Sequence, residues 1–203
     1  MTTHYDVTII TVRPGVHSKA LAILENRLAG DKQLLACWYC DIGALNQIML
    51  ISNAPDPAAS LEARQKILSS PDPFGLGDLT AGIAMDTFVS FDFLPPIQPG
   101  APGPCYEVRS YELKPHGLTA TAELWHKAVA ARSQVSPVLA AMTSVTGVVI
   151  RFVHIWPYKT LEERSRLRAK AVADGVWPPP GGPDLIARQQ TDIFLPASFS
   201  PLQ

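Results

Sequence analysis

The residues best suited to chemistry in this chain stand in one short run, His154-Ile155-Trp156-Pro157-Tyr158. An imidazole titrates near neutrality, so it can take or give a proton at physiological pH. In an extended strand alternate residues share a face, which groups Ile150, Phe152, His154 and Trp156. A histidine buried among such large apolar groups has a displaced pKa and suits general acid or base work. The plainer alternative is a core histidine holding a backbone carbonyl. Tyr158 could donate to a developing oxyanion, and Arg164 could clamp a carboxylate or enolate. Arg164 could equally pair with Glu162, Glu163 or Asp192 and fix its helix to the sheet. Arg109 and Tyr111 share a face of a second strand, where a cavity-facing Arg needs an anion or an acid such as Glu107 or Glu112. The catalytic candidates are therefore His154, Tyr158 and Arg109. Trp156, Phe152, Tyr111, Arg164 and Trp125 are candidates for substrate contact.

Other chemistry-bearing patterns are weaker. Cys37-Trp38-Tyr39-Cys40 has C-x-x-C spacing, but its surroundings are aromatic and β-prone. On a strand, residues three apart point to opposite faces, so packed strand residues are expected rather than a redox or metal pair. His17, His116 and His126 are not at ligand spacing, and no metal site is assigned. The chain has no Gly-x-Ser-x-Gly elbow, phosphate-binding loop or dinucleotide fingerprint.

The elements that must position these residues occur twice. Tyr5-Asp6-Val7 and Tyr106-Glu107-Val108 open two halves, and Arg13-Pro14 is echoed by Lys114-Pro115. Leu61-Glu62-Ala63-Arg64 is echoed by Leu161-Glu162-Glu163-Arg164, and Phe93-Leu94-Pro95 by Phe194-Leu195-Pro196. A period near 100 residues is too long for a solenoid and reads as a duplicated small domain. In the first half, strands are predicted at 5–12, 34–42, 45–52 and 87–94, with helices at 18–29 and from a Ser60 cap to 68. The second half predicts strands at 106–113, 138–145, 148–156 and 189–195, and helices at 118–131 and 160–172. The order β-α-β-β-α-β is the ferredoxin-like plan. Such a unit leaves one sheet face bare, and a bare apolar face is costly in water. The expected fold is therefore α+β, two fused ferredoxin-like units packed sheet to sheet as a pseudo-dimeric barrel. Its parts are 1–97, a Pro/Gly linker at 98–105, and 106–203. A cavity between the repeats is the expected site, and open barrel edges would let two chains pair as a homodimer.

Composition sets the outer limits. Of 203 residues 47% are hydrophobic and 17% charged, enough for a core. A net charge of −1 gives no footprint for nucleic acid or an anionic membrane. No leader or membrane-length apolar run is evident, and three cysteines without a secretory signal point to a reducing, cytoplasmic setting.

The second half resembles the NIPSNAP family. The resemblance rests on Tyr106-Glu107-Val108-Arg109-Ser110-Tyr111 with Lys114-Pro115, on His154 through Arg164, and on Phe194-Leu195-Pro196 with Phe199-Ser200-Pro201. In the first half only Gly43-Ala44-Leu45-Asn46 looks similar, and Ile51-Ser52-Asn53-Ala54 stands where the His-Trp-Tyr run falls. The resemblance implies a dimeric α+β barrel and no single chemistry, because that barrel hosts monooxygenases, isomerases, cyclases and haem enzymes. The reading that joins residues and resemblance is a small cytoplasmic enzyme without a bound cofactor. It would act by proton transfer on an apolar or aromatic metabolite. A non-catalytic binding or scaffold protein is the alternative, and a haem or metal enzyme the third.

Overall fold

In the computed structural model, which describes residues 2–203, eight strands and four longer helices form two similar halves. The first holds β1 (His4–Val12), α1 (His17–Leu28), β2 (Leu34–Ile42), β3 (Gln47–Asn53), α2 (Pro57–Leu68) and β4 (Thr80–Ser90). The second holds β5 (Cys105–Leu113), α3 (Gly117–Val135), β6 (Ala140–Ser144), β7 (Arg151–Tyr158), α4 (Leu161–Ala173) and β8 (Ile186–Pro196). All eight strand-to-strand pairings are antiparallel, and the strands close into a barrel in the order β1-β3-β2-β8-β5-β7-β6-β4. The α+β barrel built from two ferredoxin-like units is the observed fold. Closure is complete, however, because β2 pairs with β8 and β4 with β6. Every strand has two neighbours, so the expected edge-to-edge homodimer loses the edges it needed.

Strand alternation fills the interior. Tyr5, Val7, Trp38, Met49, Ile51, Tyr106, Val108 and Ile155 meet there in one core. Trp38 of the first repeat stacks on Tyr106 of the second, with ring centroids 3.9 Å apart. The bare sheet faces thus bury each other, as their composition demands.

The registers also correct one repeat marker. Phe88 stands opposite Tyr5, and Phe194 stands opposite Tyr106. Phe88, not Phe93, therefore corresponds to Phe194. Likewise β4 begins at Thr80, earlier than the predicted 87, because Gly82 within it reads as a loop residue but pairs with Thr11. Helix α2 starts at Pro57 under an Asp56 cap whose carboxylate accepts from the Ala58 and Ala59 amides, ahead of the expected Ser60.

The halves clasp each other reciprocally. Asp192 on β8 accepts from the Ala44 amide in the β2–β3 turn at 2.8 Å. Asp86 on β4 receives Arg151 beside the β6–β7 turn, with Nη2–Oδ2 at 2.5 Å, and a weak contact from Thr146. Gly43 and Gly147 sit in these turns at φ of 117° and 69°, and a Cβ on either would collide with the carboxylate it faces. No helix among the described residues is long and apolar enough to cross a membrane.

Candidate functional site

Inward-facing Tyr106 and Val108 oblige Glu107, Arg109 and Tyr111 to point outward, toward the helices of the second repeat. The same alternation turns Phe152, His154, Trp156 and Tyr158 of β7 to that face, and the register places His154 beside Arg109. His154 therefore lies under α3 and α4, not in the barrel interior. This overturns the expectation that its cavity lies between the repeats. A separate cavity of about 280 Å³ does lie between the repeats, lined by Ile9 and Met49 of the first and Val108, Arg151, Gln190 and Asp192 of the second, but His154 is not in its lining.

The cavity that His154 lines has a volume of about 270 Å³. Helix α3 supplies Thr121, Trp125 and Arg132, and α4 supplies Arg168. Trp177 and Pro178, from the loop after α4, cover it, and the exposed Val172 and Gln189 mark its rim. Trp177 meets Trp125 edge-to-face at 4.7 Å, so the cover is aromatic. Of the eight residues proposed from sequence, His154, Arg109, Phe152, Tyr111 and Trp125 line this cavity. Tyr158, Trp156 and Arg164 are not part of the lining. Trp156 and Tyr158 are packed in the core below it. The sequence reading missed Arg132, Arg168 and Trp177. Their signals were present: Arg132 follows Thr121, Trp125 and Val129 along one buried helix face. Arg168 is one turn beyond Arg164, and Trp177 is an aromatic in a Pro/Gly loop.

His154 is 2% exposed. The Trp156 indole donates to its Nδ1 at 2.6 Å, and its Nε2 has no partner. An indole nitrogen is a donor only, so Nδ1 must be the acceptor and Nε2 carries the hydrogen of the neutral ring. Burial pushes the His154 pKa well below the ordinary histidine value, and Arg109, Arg168 and Arg132 push in the same direction. The imidazole is thus held neutral, with an N–H donor free for a ligand. This geometry suits a hydrogen-bond donor better than the proton acceptor expected from sequence.

Charge around the cavity is unbalanced. Arg109, Arg132 and Arg168 line it, and no Asp or Glu does. Fully buried Glu107 lies beneath and is shared by Arg109 at 3.2 Å, Arg164 at 2.5 Å and Arg168 at 3.4 Å. Arg109 also donates to the Tyr111 hydroxyl. Burial raises the Tyr111 pKa, which keeps the phenol protonated. Arg164 is therefore a strap between α4 and β5. In the first repeat Arg64 makes the same link to Asp6, the counterpart of Glu107, at 2.9 Å.

The two repeats differ where chemistry is concerned. Thr8 pairs with Leu50 where Arg109 pairs with His154. The first repeat keeps a cavity of about 370 Å³ under its own helices, but Leu50 and Ser52 stand there in place of His154 and Trp156. Cys37 and Cys40 face opposite sides of β2, in different cores, as alternation required. Burial lifts their thiols to about 12 and about 11, far from a reactive thiolate. No three His, Cys, Asp or Glu side chains among the described residues cluster as a metal site would need.

Comparison with known proteins agrees with this division. Residues 106–201 match the NIPSNAP family model. Protein NipSnap of Drosophila melanogaster is 24% identical over 200 residues, covering 92% of this chain and 71% of its own length. Several other curated relatives are spanned over only about a third of their own length. The crystal structure of a nipsnap family protein with unknown function, Atu4242 of Agrobacterium tumefaciens, is 30% identical, with 49% of this chain and 93% of that one aligned and a TM-score of 0.46. An anthrone oxidase-like protein is 12% identical and superposes over 96% of this chain and 91% of its own with a TM-score of 0.65, a likeness of fold. With the family model matching the second repeat and Protein NipSnap aligning along 92% of the chain, the chain belongs to the NIPSNAP family.

Proposed function

We propose that the second repeat binds a small apolar or aromatic carbonyl compound and stabilises its enolate. The observation that carries this reading is the free Nε2–H of a neutral His154 in a cavity lined by three guanidinium groups and no acid. An enolate places its charge on oxygen, and preformed donors in a dry site stabilise such charge strongly. Nε2–H of His154 and the Arg109 guanidinium are the donors. Phe152, Trp125 and Trp177 hold the apolar body, and Tyr111 keeps Arg109 in place. A solvent base entering at the open rim, hydroxide or a buffer anion, takes the C–H proton, and isomerisation or cyclisation can begin from the resulting anion, as can oxygenation with dioxygen as the oxidant. Three free, buried cysteines support a reducing, cytoplasmic setting for this work.

The test is hydrogen exchange at an acidic C–H. The full chain incubated in deuterated buffer with 2-tetralone, a two-ring ketone, should accelerate deuterium incorporation. His154→Ala should remove most of that acceleration. Equal rates with and without the protein, or with His154→Ala, would sink the catalytic reading. If 2-tetralone binds without exchange, the binding-protein reading is the better one, and its support is the same cavity.

A further inference from the structure

Most polar groups in the second repeat have evident partners, and of the few that do not, three line one cavity. Arg132 is 2% exposed, yet it forms no ion pair among the described residues. Its Nη1 donates to the Ser136 carbonyl at 3.1 Å, and its guanidinium carbon lies 4.3 Å from the Trp156 ring centroid. Its Nε has no partner. Thr121 Oγ1, on the same face of α3, also lacks one, as does His154 Nε2. All three residues line the same cavity. A buried cation without a counter-ion costs several kcal/mol, and native proteins seldom leave such groups unmatched. Glu107 and the Tyr158 hydroxyl favour the cation from nearby, but Glu107 forms no ion pair with it, its direct contacts going to three other arginines.

Arg132 also belongs to the second repeat alone. Helix α3 has 19 residues and α1 has 12, and Arg132 lies in the added C-terminal turns. The first-repeat cavity has no equivalent buried, unpaired cation: Arg64 in its lining is already joined to Asp6 and Thr87.

From these groups we infer that the ligand arrives as a preformed monoanion, an apolar or aromatic carboxylate, and that Arg132 selects for its charge. The carboxylate would take the guanidinium edge left free by Ser136, with Thr121 donating its hydroxyl hydrogen. His154 Nε2–H then remains for a second oxygen, the one on which enolate charge develops. This inference rests on the proposed ligand site and goes further by fixing the ligand's resting charge. The cavity of about 270 Å³ lies near the lower end of small-molecule pockets, which suits a one- or two-ring acid.

The experiment is calorimetric titration of the full chain at pH 7 with 2-naphthoate and with 2-naphthamide, its neutral near-isostere. The expected wild-type result is about tenfold tighter binding of the carboxylate, the order of one charged hydrogen-bonded contact. In Arg132→Gln the preference should fall to about twofold or less, chiefly through lost carboxylate affinity, and Arg132→Lys should keep part of the preference because the charge is retained. Equal wild-type affinity for both probes would overturn the inference and leave the site reading standing. An undiminished preference in Arg132→Gln, or in the equally uncharged Arg132→Met should the first variant not fold, would assign the charge selection elsewhere and overturn it too. Failure of both probes to bind the wild type would overturn this inference and the site reading together. His154→Ala separates the two roles: neither probe carries the second oxygen that His154 serves, so the carboxylate-to-amide ratio should be unchanged.

Discussion

The Trp156 indole donates to Nδ1 of His154 across 2.6 Å, and this single bond decides which ring nitrogen can meet a ligand. Nitrogen-15 NMR of labelled protein should show His154 as the Nε2–H tautomer. Trp156→Phe removes the donor, and the spectrum should then show a mixture or the other tautomer. An unchanged tautomer in that variant would mean that something other than Trp156 sets it.

The depressed pKa of His154 makes stability depend on pH with a definite sign. Below the ordinary histidine value of about 6.5 the unfolded chain takes up a proton that the folded chain refuses, so stability falls as pH falls. The slope for this one group is about tenfold in the folding equilibrium per pH unit, down to its folded pKa. His154→Gln should flatten that part of the urea-midpoint profile between pH 6.5 and 5. A parallel profile would mean that His154 titrates normally in the fold.

Glu107 is the one acid beneath three arginines, so its loss should be felt throughout the second repeat. Glu107→Gln should cost about 3 kcal/mol, the usual order for leaving buried charges unmatched. Urea unfolding measures it. In the first repeat Asp6→Asn should cost less, because only Arg64 loses an ion pair.

Gly43 and Gly147 test the reciprocal clasp. Alanine at either position must leave a left-handed backbone or displace Asp192 or Asp86, and each substitution should cost more than about 1 kcal/mol. Gly15→Ala has no neighbour to meet and carries only the strain of its positive φ, so it serves as the control. Thermal unfolding of the three variants should rank Gly15→Ala mildest.

The two thiols of the C-x-x-C segment give the cheapest check of strand packing. With pKa values near 12 and 11, Cys37 and Cys40 should stay unreactive toward a disulfide reagent at pH 8 until the protein is unfolded. Rapid labelling of both in the native protein would contradict their burial.

Much of this architecture was legible because alternation and duplication leave marks in a chain. The shared face of Phe152 and His154, the opposed cysteines and the paired Arg64 and Arg164 all follow from period and repeat. What alternation cannot say is which face the helices cover. That choice was set by long-range partners: Trp38 meeting Tyr106 put Glu107 and Arg109 outside, and with them the cavity. Arg132 and Trp177 come from a helix extension and an irregular loop, where no strand period points to a cavity. The role of His154 also hid in its neighbour, since only the indole contact reveals which nitrogen is free.

The closed ring of strands has a consequence for the severed molecule. A cut in the 91–104 connector would leave the second repeat with β6 and β8 as bare borders, each shaped to receive a strand of the other half. Without that half, the border available in equal number is that of another second repeat. Two such pieces placed about a dyad would rebuild a ring carrying two copies of the His154 cavity, whereas the intact chain carries one. Fusion therefore sets the dose: joining unlike halves halves the number of histidine sites per barrel and leaves the other half free to diverge.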